Sequence, residues 1–86
     1  MRKTGILNEA RQTDPLCKAP LIELTGENRV LMENHHGILA YSTEEIKVKV
    51  SFGCIVVLGE RLFLRELSKE QLVIWGRIDS VRLVRR

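Results

Sequence analysis

The chain has no apolar run approaching the roughly 20 residues that a membrane-spanning helix needs, so no such helix is expected. It has only two cysteines, Cys17 and Cys54, too few for a disulfide framework. They read as reduced thiols, with Cys54 acting as a small hydrophobe at the head of an apolar stretch. No CxxC or HxxxH spacing is present, so no ready-made zinc site is expected. Its two prolines, Pro15 and Pro20, both precede residue 21. No apolar stretch follows Met1-Arg2-Lys3, so no secretory leader is expected and the chain reads as made and kept in the cytoplasm. At 86 residues it is one small domain. Such a chain buries roughly 60–65% of its unfolded surface and gains from oligomerisation.

What is present is a period. Four stretches starting at Leu21, Ile38, Cys54 and Gln71 align on a spacing of 16 to 17 residues. Their second positions are Ile22, Leu39, Ile55 and Leu72; their fourth are Leu24, Tyr41, Val57 and Ile74; their eleventh are Leu31, Val48, Leu64 and Val81. A repeat this short holds a strand, a turn and a strand. Ile46-Lys47-Val48-Lys49-Val50 alternates strictly, which points the three aliphatic residues inward and both lysines to water. Residues 54–58 form a continuous apolar run, as in a strand covered on both faces.

Gly26-Glu27, Gly59-Glu60 and Gly76-Arg77 each separate two apolar runs and read as two-residue type II′ hairpin turns. Such a turn at Gly59-Glu60 would pair Val57 with Leu62 and Ile55 with Leu64. Residues 34–37, 51–53 and 68–70 are the other joints. The stretches starting at Ser42 and Ser68 mimic helix capping boxes, but neither leaves room for a helix and both read as turns. The expected fold is all-β: a small two-layer sandwich of about eight short antiparallel strands, with a small β-solenoid as the alternative. Residues 1–19 read as a flexible tail, in which a short helix over residues 6–12 would be bounded by Gly5 and Pro15. Residues 20–86 read as the β domain.

The net charge of +3 is unevenly placed. Residues 1–20 carry four basic and two acidic side chains; residues 21–80 carry seven and nine; residues 81–86 add Arg82, Arg85 and Arg86. The body is slightly acidic, so the excess positive charge is expected to act from the ends. That suits weak contact with an anionic surface better than nucleic-acid readout.

Few residues carry a chemical signal. His35-His36 sit in a turn with Glu33, Glu44 and Glu45 near in sequence, too few well-spaced ligands for a metal. Glu44-Glu45 flank a turn and read as solvated, and the serines at 42, 51, 68 and 80 have no placed base. No catalytic, cofactor-binding or metal-binding residue is therefore assigned. Tyr41 falls in an apolar column and is expected in the core. Phe63 and Trp75 fall on the other face of their strands, beside Val56 and Val73. That face is either the second side of a central sheet or an apolar patch for a partner.

The stretch VLMENHHGILAYS, residues 30–42, carries a resemblance. An apolar strand ending in Glu33-Asn34-His35 is followed by Gly37 and a Leu/Ile-rich strand ending in Ser42. With the turns at Gly59 and Gly76, residues 21–84 resemble the YabP/YqfC family of sporulation proteins from endospore-forming bacteria, and more closely its YqfC branch. The resemblance implies a small non-enzymatic β protein of the mother cell, without cofactors. It implies an accessory role in spore-envelope development, cortex or coat, beside an integral membrane sporulation protein. Glu33, Asn34, His35 and Gly37 carry over as a signature turn of structural role, in which Asn and Gly supply positive φ. An interaction surface is expected around Phe63, Trp75, Arg82, Arg85 and Arg86, with homo-oligomerisation and peripheral contact at the forespore membrane as extensions. The alternative function is a nucleic-acid-binding β module using the basic termini with the Phe63/Trp75 face.

Overall fold

The structure, a computed structural model, describes residues 19–86. Cys17, the stretch at residues 6–12 and all but the last residue of the expected tail lie outside them. Six strands form one antiparallel sheet: β1 (Leu21–Thr25), β2 (Arg29–Glu33), β3 (Ile38–Tyr41), β4 (Glu45–Val50), β5 (Gly53–Leu67) and β6 (Gln71–Arg85). Their order is β1-β2-β6-β5-β4-β3, and no helix occurs among the described residues. The all-β reading holds. The two-layer sandwich of eight strands, the solenoid alternative and the four strand-turn-strand repeats do not: six strands form one sheet, and β5 and β6 are each 15 residues long.

The long pair β5–β6 is a ribbon closed by the turn at residues 68–70, and it carries a short hairpin at each end. The β1–β2 hairpin joins β6 only over Gln71 to Trp75. The β3–β4 hairpin joins β5 only over Gly53 to Leu58. These attachment points are at opposite ends and on opposite edges of the ribbon. One buried cluster nevertheless contains Val30 and Met32 of β2 with Ile46, Val48 and Val50 of β4. Val30, Met32, Ile46 and Val48 are all 0% exposed, which the uncovered face of a flat sheet would not allow. The ribbon therefore bends, and the sheet covers its own face. Ile55, Val57, Leu62, Leu72 and Ile74 complete the cluster, all at most 1% exposed. Each such side chain contributes roughly 1.5–3 kcal/mol of burial.

The bend is written into the register. The β5–β6 pairing shifts at Leu58/Gly59 and again between Glu60 and Phe63. Arg61 adopts φ +55°, a conformation few side chains accept. Gly76 stands at φ +134°, where a Cβ would lie 2.6 Å from the Arg61 carbonyl oxygen. At Gly59 a Cβ would overlap the Arg77 carbonyl. Both short hairpins fasten here. Gly76 N–H donates to the Asn28 carbonyl and Ile78 N–H to that of Glu27. Gly59 N–H donates to the Glu44 carbonyl and Leu62 N–H to that of Thr43.

This corrects two expectations. Gly59-Glu60 and Gly76-Arg77 are bends inside strands, not hairpin turns. Val57 faces Val81 and Ile55 faces Leu83, while Leu64 faces Ile74. Tyr41 is not core: it is 55% exposed, because β3 is an edge strand. Its hydroxyl oxygen accepts the Leu64 N–H at 3.3 Å across the opening of the folded sheet. For the same reason Leu24 on β1 and Leu39 on β3 are more than half exposed. The alternation in β4 is as read: Ile46, Val48 and Val50 are buried, Lys47 half-buried and Lys49 exposed.

Gly59→Ala and Gly76→Ala are each expected to cost more than about 3 kcal/mol, since backbone must move to admit the methyl group. Urea denaturation measures this; a loss under about 1 kcal/mol at both sites would place the bend elsewhere.

Candidate functional site

Residues 33–37 carry the chain from β2 at one end of the ribbon to β3 at the other. Asn34 takes φ +64° and Gly37 φ +120°, the positive φ that these residue types tolerate. Asn34 N–H donates to the Glu70 carbonyl at 2.7 Å, and its Nδ2 donates to the Ala19 carbonyl at 3.0 Å. His36 N–H donates to the Lys49 carbonyl, and Lys49 N–H returns to Gly37. The link is thus tied to the chain before β1, to the β5–β6 turn and to β4.

His35 is its centre, at 7% exposed the only buried polar or charged side chain among the described residues. Gly37 N–H donates to its Nδ1 at 3.0 Å. Nε2 therefore carries the proton and donates to the Ser68 carbonyl at 3.0 Å. Both ring nitrogens are occupied by backbone, which makes this a structural imidazole. His36 beside it is exposed. Glu33 ends β2, half-buried opposite Leu21 and Gln71. Among the described residues no three His, Cys, Asp or Glu side chains converge as a metal site would require.

The expected interaction residues fall into two groups. Phe63 and Trp75 lie directly opposite each other in the β5–β6 register. Phe63 is 45% exposed; Trp75 is half-buried, with the Arg29 guanidinium 6.0 Å from its ring centre. Arg29, Arg65, Glu66, Val73 and Trp75 line a shallow depression beside Phe63. Arg82, Arg85 and Arg86 are beyond the bend, at the opposite end of β6. The sheet does not bring them to the aromatic pair. It brings Arg82 into one cross-strand row with Val56 and Lys47 instead. That grouping was readable only in part: alternation turned Lys47 and Lys49 outward, but nothing local paired β4 with β5 and β6.

The model of the YabP family matches residues 18–86. The chain belongs to the YabP family. The uncharacterized protein YqfC of Bacillus subtilis (strain 168) is 28% identical to it over 71 residues, which is 83% of this chain and 76% of that protein. No solved structure matches it. The YabP family is associated with sporulation, and the match spans the His35 link and both surface groups of this member.

His35→Ala is expected to cost about 2–4 kcal/mol, because it empties a buried site and leaves the Gly37 N–H and Ser68 carbonyl unpaired. His36→Ala should stay within about 0.5 kcal/mol. Equal effects in denaturant titrations would refute the structural role of His35.

Proposed function

We propose that the protein is a non-enzymatic adaptor of sporulation, acting in spore-envelope development by docking an integral membrane sporulation protein in the mother cell. One observation carries the reading: Phe63, with Trp75 opposite it on β6, sits where β5 has no second strand partner among the described residues. Over residues 65–67, β5 is paired to β6 alone among the described residues. The N–H groups of Leu62 and Leu64 are taken by the Thr43 carbonyl and the Tyr41 hydroxyl, so the open edge is the stretch past Leu64, running to Leu67, which is 57% exposed. A partner strand added along this edge would hydrogen-bond to β5 and lay its side chains against Phe63, Trp75 and Val73. Membership of a sporulation-associated family supports the setting. A second copy could use the same edge, and self-association is the variant of this reading that needs no other protein.

The nucleic-acid alternative is less well supported. It asks one strand of bases to use the Phe63/Trp75 pair and the arginines of residues 82–86 together. These groups lie on different sides of the bend.

The test is affinity capture from sporulating cells with the full-length chain as bait. Wild type is expected to recover one integral membrane protein reproducibly. Phe63→Ala and Trp75→Ala should each weaken that interaction about thirtyfold or more in a titration with the purified partner, as truncation of an interface anchor does. Phe63→Ala, at a well-exposed position, should leave the melting temperature nearly unchanged. Recovery of the same protein by all three forms alike would sink the proposed surface.

A further inference from the structure

The half of the sheet beyond the bend has an outer face of a different character. Its rows read Lys47, Val56, Arg82 and then Lys49, Cys54, Val84 across β4, β5 and β6. Ile46, Val48, Ile55 and Val57 point into the core, so alternation turns both rows to the outside. Val56 is only 7% exposed between its two basic neighbours. Beside it runs an open groove of about 280 Å³, lined by Leu39, Lys49, Cys54, Val84, Arg85 and Arg86. Leu39 is 57% exposed and Val84 37%. Glu45, at the far end opposite Leu58, is the acidic residue that alternation adds to this face. The two ion pairs among the described residues both belong to Arg77, so Lys47, Lys49, Arg82, Arg85 and Arg86 are unpaired there. The chain is not simply basic at a loose end: strand pairing has brought Lys47 and Lys49 from the middle and Arg82 from the C-terminal strand onto one face, with Arg85 and Arg86 at the end of its groove.

We propose that this face docks the protein on an anionic bilayer surface. The cations complement lipid phosphates, each strengthening attachment about fivefold near an anionic leaflet. Leu39 and Val84 stand among them, where aliphatic side chains can enter the headgroup–acyl boundary. A phosphate polymer would use the same cations but has no use for exposed aliphatic groups, and the aromatic platform it would want is on the other half of the sheet. The inference is independent of the adaptor reading, since it needs no partner protein and uses other residues.

Co-sedimentation of the full-length chain with vesicles decides it. The chain should bind vesicles of phosphatidylcholine mixed with phosphatidylglycerol, not phosphatidylcholine alone, and high salt should release it. Lys47→Gln combined with Lys49→Gln should lower the partition at least about tenfold. Arg65→Gln combined with Lys69→Gln removes the same charge from the other half and should change it less than about twofold. Leu39→Ser should weaken binding at constant charge, and its exposure makes it safe for the fold, as a circular-dichroism melt will verify. No binding, equal binding to neutral vesicles, or equal loss in both double variants overturns the proposal. So does wild-type-like binding by Leu39→Ser together with displacement by a single-stranded oligonucleotide, which would make the face a nucleic-acid site.

Discussion

A single sheet with no helix among the described residues to cover it must bury its own apolar face, and that constraint organises the molecule. The ribbon β5–β6 can do so only by bending in the middle. The bend needs two close backbone approaches, Gly59 against the Arg77 carbonyl and Gly76 against Arg61. Once it is made, Val30 and Met32 of β2 and Ile46, Val48 and Val50 of β4 are all buried in one cluster. The hairpins that bring these residues are short and attached at opposite ends of the ribbon. Without the bend each would lie on an open sheet with half its apolar residues in water, and burial could not offset the entropy of ordering them. The His35 link holds the fold shut from another side, binding the β2 end to the β5–β6 turn and to β4 through backbone partners.

Folding one sheet on itself leaves edges. β1 and β3 end the strand order, and β5 and β6 are each paired on one side only over half their length. Leu24, Leu39, Tyr41, Leu67 and Leu83 are all more than half exposed, and all lie on these edges. Leu83 shows the cause: it shares the inward face with its register partner Ile55, yet stays 58% exposed because nothing described pairs beyond β6 there. The same geometry that makes a small core sufficient makes the rim adhesive.

Much of this was legible in the residues. The alternation at residues 46–50, the turns at 34–37 and 68–70, and the apolar run at 54–58 are local patterns, and each appears where its pattern puts it. The failures were non-local. Gly-X between two apolar runs looks the same whether the chain reverses or bends, because both need a residue without a Cβ. Only the partner strand decides, and the partner of Val57 is Val81, 24 positions on. The repeat columns failed likewise: Leu24 and Tyr41 have the same apolar character as Val57 and Ile74, but their strands are at edges. The signature turn was legible as conformation through Asn34 and Gly37. The role of His35 was not, because its partner Ser68 comes from a distant turn.

The bend also separates chemistry. It divides β6 into a half bearing Trp75, opposite Phe63 and beneath Arg29, and a half bearing Arg82, Arg85 and Arg86 beside Lys47 and Lys49. A straight strand of this length would carry the aromatic and cationic groups along one continuous surface, as a nucleic-acid-binding sheet does. A folded one turns them away from each other. The two surfaces can then be occupied at once, and neither competes with the core for the residues it uses. The docking roles proposed above would use this separation: an open β5 edge on one half, and a cationic face with aliphatic side chains on the other.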